Sequence, residues 1–172
     1  MHLLALLLLA AAPPPSVDGY PTTRGTAGVS FLLPSGGDPR IGGTYFLFND
    51  LAVRIDVGLV APITPGGAGQ NTLFSVGGGL RYYPLKRNRV GVFLQPSGTI
   101  GRENSPAVAA EAAFFLRLGA GIGVEYFFAS HFSAGAVLEV TLKFANLNGP
   151  ASTPVYTTLS TATSALSANI YF

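Results

Sequence analysis

Residues 51–60 read LAVRIDVGLV. Leu51, Val53, Ile55, Val57 and Leu59 fall on one side of a period-two pattern, and Ala52, Arg54, Asp56 and Gly58 on the other. That alternation is the mark of a β-strand with two unlike faces, because successive side chains point in opposite directions. Globular strands usually run about five or six residues, whereas a strand crossing a bilayer at a tilt needs about 9–11. This stretch has the second length.

The pattern recurs downstream. In 72–82, Phe74, Val76, Leu80 and Tyr82 oppose Ser75, Gly77, Gly79 and Arg81. In 111–126, Phe114, Leu116, Leu118, Ile122 and Val124 oppose Glu111, Arg117, Gly119, Gly121, Gly123 and Glu125. In 132–144, Phe132, Ala134, Leu138, Val140, Leu142 and Phe144 oppose Ser133, Gly135, Glu139, Thr141 and Lys143. Segments 25–33, 41–48, 90–101 and 158–172 complete a count of eight. Pro96 is an obstacle in the third of these, since a closed barrel has no edge at which a missing N–H is harmless. A bulge there, or a strand end near Gln95, is expected.

The links alternate in length. Asn49-Asp50, PLKRNR at 84–89 and residues 129–131 are tight, whereas PSGGDPR, PITPGGAGQN, RENSPAV and NLNGPASTP are looser. Short turns at one end and longer loops at the other suit an antiparallel up-and-down β-barrel in an outer membrane. With eight strands both termini lie at the short-turn end, which is then the periplasmic one.

Composition narrows the class. Charged residues are 10% of the 172, against about 25% in ordinary soluble domains. Glycine is high at 22 residues, and the mean hydropathy is +0.43. Such a chain is too apolar for intrinsic disorder and too poor in charge for an ordinary soluble enzyme. No apolar run is long enough for a transmembrane helix. Cysteine is absent, so there is neither a disulfide framework nor a thiolate metal site. A net charge of +2 implies no nucleic-acid partner.

At the amino terminus, Leu3–Leu9 form a short apolar core followed by Ala10-Ala11-Ala12 and three prolines. This has the length of a signal-peptide core and a small-residue cleavage pattern, so residues 1–17 are expected to be a signal peptide and 18–172 the barrel domain.

Alternation alone does not say which face meets lipid. The charges do. Arg54, Arg81, Arg117 and Lys143, with Asp56, Glu111, Glu125 and Glu139, all fall on the polar faces. A basic residue on the lipid face costs about 2–4 kcal/mol near the midplane. The polar faces are therefore expected to line the lumen, their charges forming an ion-pair network. The alternative, a soluble lipocalin-like carrier, has its apolar faces inward. Aromatics collect at the short-turn ends: Tyr82, Tyr83, Tyr126, Phe127, Phe128, Phe132, Tyr171 and Phe172. They are expected to form a girdle at the membrane–water boundary.

These features, with GAGIGVEYFF at 119–128 before a tight turn and the ending SANIYF, resemble the small eight-stranded outer-membrane barrels: the OmpA transmembrane-domain, OmpX and OmpW-like group. The resemblance implies insertion by the barrel-assembly machinery, with Phe172, Ile170 and Tyr171 in the carboxy-terminal signal. Outer-membrane lipids and that machinery are the implied partners, and the outer membrane of a Gram-negative bacterium the implied location. The peptidoglycan-binding function of full-length OmpA is not carried over.

Catalysis and cofactors are not expected. His2 and His131 are the only histidines, and neither falls at the outer rim where a nucleophile would need a base. No ligand set for a metal is evident. Lys86, Arg87 and Arg89 form the one basic cluster, at a turn, where they are either solvated or in contact with phospholipid headgroups. The expected function is structural, in envelope integrity, with surface contacts through the outer loops. The alternative is passage of small or hydrophobic solutes.

Overall fold

The computed structural model describes residues 20–35, 39–60, 72–104, 113–147 and 155–172. The expected signal peptide, 1–17, lies outside them, as does Glu111. Eight strands follow in order: β1 (Ala27–Pro34), β2 (Arg40–Phe48), β3 (Leu51–Val60), β4 (Thr72–Arg87), β5 (Val90–Asn104), β6 (Ala113–Ala129), β7 (Phe132–Ala145) and β8 (Tyr156–Tyr171). Each pairs antiparallel with the next, and β8 returns to β1 through a ladder from Gly28–Tyr171 to Pro34–Ala165. The sheet is a closed barrel. Closure leaves no long exposed edge, which is the condition for β-structure in lipid.

Two of the tight turns place a non-glycine residue at positive φ, Asp50 at 66° and Asn88 at 56°. Asp and Asn tolerate this left-handed region better than other side chains, which explains the Asn49-Asp50 and Asn88-Arg89 dipeptides. The second turn is shorter than PLKRNR suggests. Residues 84–87 continue β4, and a bulge between Tyr82 and Leu85 absorbs the extra residue.

Pro96 neither ends β5 nor creates a bulge at its own position. On the β6 side the ladder runs through it, opposite Ala120. On the β4 side the pairing skips from Gly79–Ser97 to Tyr82–Leu94, so Leu80 and Arg81 have no ladder partner there. The missing N–H falls in that gap.

Side chains alternate as the strand phase demands. Ile55 (61% exposed), Leu59 (66%), Ile100 (62%) and Leu166 (63%) project outward among many other exposed aliphatic and aromatic residues. Arg54, Arg81, Glu125 and Asn169 are 3% exposed or less and project inward. The exterior is apolar and the interior polar, the reverse of a lipocalin-like carrier. Water does not favour so continuous an apolar exterior, and a bilayer does. The molecule is a transmembrane β-barrel.

Residues Tyr20–Thr26 run beneath the short-turn end. The Asp50 N–H donates to Thr22 O at 2.8 Å, and the N–H of Gly25 and that of Phe46 donate to Phe46 O and Thr26 O, each at 2.9 Å. Tyr20 meets the inward-facing Phe127 ring edge-on at 5.2 Å and donates its hydroxyl to Asn88 O. Lys86 pairs with Asp50, donates to Thr22 Oγ1 at 3.1 Å and stands 5.2 Å from the Tyr20 ring centre. The segment thus caps the inward rings Phe46, Tyr83, Phe127 and Tyr171.

Candidate functional site

The interior is organised around one carboxylate. Glu125 on β6 is fully buried and accepts hydrogen bonds from three other strands. Arg81 Nη1 lies 3.1 Å from Oε2, Tyr171 Oη 2.6 Å from Oε1 and Asn169 Nδ2 2.9 Å from Oε1. The Tyr83 and Ser133 hydroxyls donate to it as well. Register explains how so many groups reach one residue. Glu125 stands opposite Gly91 on β5 and Gly135 on β7. A side chain at Gly91 would strike the Tyr83 and Phe127 rings, and one at Gly135 would meet Ser167 Oγ at 3.1 Å. Glycine at position 91 leaves room for the Tyr83 ring, whose hydroxyl reaches the carboxylate.

Arg81 extends the network. Its guanidinium lies 4.0 Å from the centre of the Phe93 ring, and its Nε and Nη2 donate to Gln95 Oε1 at 3.1 and 2.9 Å. Arg54 Nη1 donates to the same oxygen at 2.7 Å, and its Nη2 reaches Ser30 Oγ at 3.3 Å. Two guanidinium groups therefore share one amide oxygen, and only Arg81 stands in an ion pair with Glu125. Burying a charge is costly unless it is paired and hydrogen-bonded, and Glu125 and Arg81 satisfy that condition mutually.

Further along the lumen the groups separate into smaller units. Arg40 Nη1 bonds Asp56 Oδ1 and Thr99 Oγ1, both at 3.1 Å. Ser97 Oγ donates to Glu139 Oε1 at 3.0 Å. Lys143 Nζ lies 2.8 Å from both carboxylate oxygens of Glu103. Arg117 stands between Thr99 on β5 and Lys143 on β7, its guanidinium 5.5 Å from the Phe115 ring.

Of the residues the sequence singles out, Arg54, Arg81 and Glu125 do come together at the short-turn end. Asp56 meets Arg40, a residue the sequence reading leaves in a loop. Lys143 pairs with Glu103, also read as loop. Both differences have one cause: β2 begins at Arg40 and β5 runs to Asn104, so these charges belong to strands. Tyr82, Tyr126 and Phe132 face outward, 42–48% exposed, as girdle residues should. Phe128 joins them, edge-on to Tyr126 at 4.9 Å and stacked on Phe132 at 5.5 Å. Ile170 is half-buried and pairs with Phe132 and Val29.

Tyr171 corrects the expectation. It is 1% exposed and bonded to Glu125, inside the barrel and not in the girdle. Tyr83 and Phe127 are likewise interior, at 3% and 2%. The reason is phase: Tyr171 is two residues from the inward Asn169, and Ile170 and Phe172 alternate with it. Grouping aromatics by proximity in sequence hides this. Gln95, Asn169 and Ser30 escape sequence reading, and Ser133 is placed there only by its face, because uncharged polar residues are common on every lumen face. Their phase is the one signal available.

His131 occupies the β6–β7 turn, with Nδ1 3.1 Å from Tyr171 O. Among the described residues no group of His, Asp and Glu is arranged to hold a metal ion.

No family model matches the chain, and no curated protein matches it. Solved structures do. The N-terminal β-barrel domain of Pseudomonas aeruginosa OprF superposes with a TM-score of 0.53 at 13% identity, over 87% of this chain and 98% of that one. Neisserial surface protein A is also similar, with a TM-score of 0.49 at 20% identity, over 85% of this chain and 92% of that one. The chain has the fold of the small eight-stranded outer-membrane β-barrels.

Proposed function

We propose that this chain is an outer-membrane protein with a non-enzymatic, structural role in the cell envelope, its lumen closed to solutes. The observation that carries this reading is the filled short-turn half of the barrel. Glu125 gathers donors from β4, β7 and β8, the Phe46, Tyr83, Phe127 and Tyr171 rings lie beside them, and Tyr20 and Thr22 cap the end. An eight-stranded interior is only wide enough for side chains to fill, unlike that of a porin. Contacts with other surfaces come, on this reading, from the four longer links at the opposite end.

Planar-bilayer recording tests the closed lumen. Purified wild-type protein is expected to insert without steady unit currents. Large, stable conductance steps would overturn the structural reading and favour solute passage. Membrane fractionation and heat-dependent gel mobility test the location. Recovery of the mature protein from the soluble periplasm without detergent would defeat the outer-membrane assignment.

A further inference from the structure

We propose that the β4–β5 hairpin carries a binding site for anionic phospholipid headgroups of the periplasmic leaflet, formed by Arg87. The proposal rests on the membrane-barrel reading above and gives the basic cluster a partner.

Four cations meet at this end of the barrel: Arg24, Lys86, Arg87 and Arg89. Lys86 is taken up by Asp50 and Thr22. Arg87 and Arg89 are exposed, and no carboxylate lies within ion-pair distance of either among the described residues. Register then decides what Arg87 faces. It pairs with Val90 on β5, and Val90 pairs with Tyr126 on β6. Paired residues share a face, and Tyr126 lies between the inward Glu125 and Phe127, so its row points outward. Arg87 therefore leaves the exterior wall at the level of the aromatic girdle. Leu85 (66% exposed), two residues back on the same strand, and Val90 (41%) flank it with apolar surface.

A cation placed there has its stem along hydrocarbon and its guanidinium among phosphates, and the guanidinium fork matches phosphate oxygens well. Peptidoglycan or a soluble periplasmic protein would meet an arginine aimed away from the bilayer. The outward row at girdle height favours lipid. Beyond it the exterior of β5 reads Val90, Val92, Leu94, Pro96, Gly98 and Ile100 before the next cation, Arg102. That interval is an uncharged band bounded by arginine at both ends.

The experiment uses the full chain refolded into phosphatidylcholine vesicles containing trace spin-labelled phosphatidylglycerol or phosphatidylcholine. Electron paramagnetic resonance measures each lipid's association with the protein surface. A basic residue near a membrane surface strengthens anionic-lipid association about five-fold. The wild type should therefore prefer phosphatidylglycerol clearly, the preference should fall with added salt, and Arg87→Gln should remove most of it whereas Arg89→Gln, at a residue whose carbonyl pairs with the inward Phe127, should not. The Arg87→Lys protein should keep it, and heat-dependent gel mobility reports that each variant is folded. Equal preference in wild type and Arg87→Gln would overturn the proposal. So would loss of binding to peptidoglycan fragments as the variant's main defect. A wild-type protein that inserts and shows no preference defeats this inference alone. One that leaves no motionally restricted lipid defeats the membrane reading as well.

Discussion

Arg81 and Glu125 are 44 residues apart in sequence, and their charged groups meet at 3.1 Å with side chains 1% and 0% exposed. They come from β4 and β6, which β5 separates. The contact thus spans the lumen over a third strand, the guanidinium passing 4.0 Å from the centre of the Phe93 ring on β5. Breaking a buried pair by removing one partner costs about 3–5 kcal/mol, because the other charge remains buried and uncompensated. Arg81→Met and Glu125→Gln should each destabilise the refolded barrel by that amount in urea titrations. The double variant should lose less than the sum, and full additivity would show the two groups to be independent.

Arg54 should behave differently. It reaches Gln95 and Ser30 but, among the described residues, no carboxylate at ion-pair distance, and its Nε has no hydrogen-bond partner among them. Arg54→Met leaves Gln95 still engaged by Arg81. The expected cost is about 1.5–3 kcal/mol, the worth of hydrogen bonds from a charged group without an ion pair. A loss as large as that of Arg81→Met would make Arg54 an equal member of the network.

Glycine positions offer a test of lumen packing. A side chain at Gly123 would run into the Phe93 ring and lie 2.6 Å from Ala136 O, whereas one at Gly98 would meet only Leu118 Cδ2 at 3.8 Å. Gly123→Val should destabilise by about 1–3 kcal/mol through overpacking. Gly98→Ala should be neutral within about 0.5 kcal/mol, as surface changes usually are. Equal effects in the two unfolding curves would contradict the crowded interior.

Phe172 joins the seam between the last strand and the first, its N–H donating to Ala27 O at 2.8 Å. A Phe172→Ala variant keeps this backbone bond and removes only the ring. If the ring belongs to the signal read by the assembly machinery, outer-membrane yield in cells should fall more than the stability of refolded protein in detergent. Equal loss in both measurements would leave the ring with a packing role only.

The phase of alternation was legible from the chain alone, and it determined most of the fold. A one-residue shift exchanges the two faces of a strand, so Arg54, Arg81 and Glu125 could only be interior once Ile55, Leu80 and Val124 were exterior. Strand number, antiparallel order and the polar lumen follow from the same pattern and from links too short for any other connection. Read consistently, that phase would also have placed Tyr171 and Tyr83 inside.

Which interior groups touch was another matter, because partners depend on the stagger between strands and not on phase. Lys143 could have met any acid at its height. The register of β5, β6 and β7 brings it to Glu103, on a stretch that sequence alone left as loop. Strand ends were equally hidden, since hydrogen bonds from neighbouring strands carried β4 through Pro84 and the charged residues that follow it. The gap opposite Pro96 and the Tyr20–Thr26 cap exist only when distant segments meet. Local pattern chose the face of each residue, and closure of the barrel chose its neighbours.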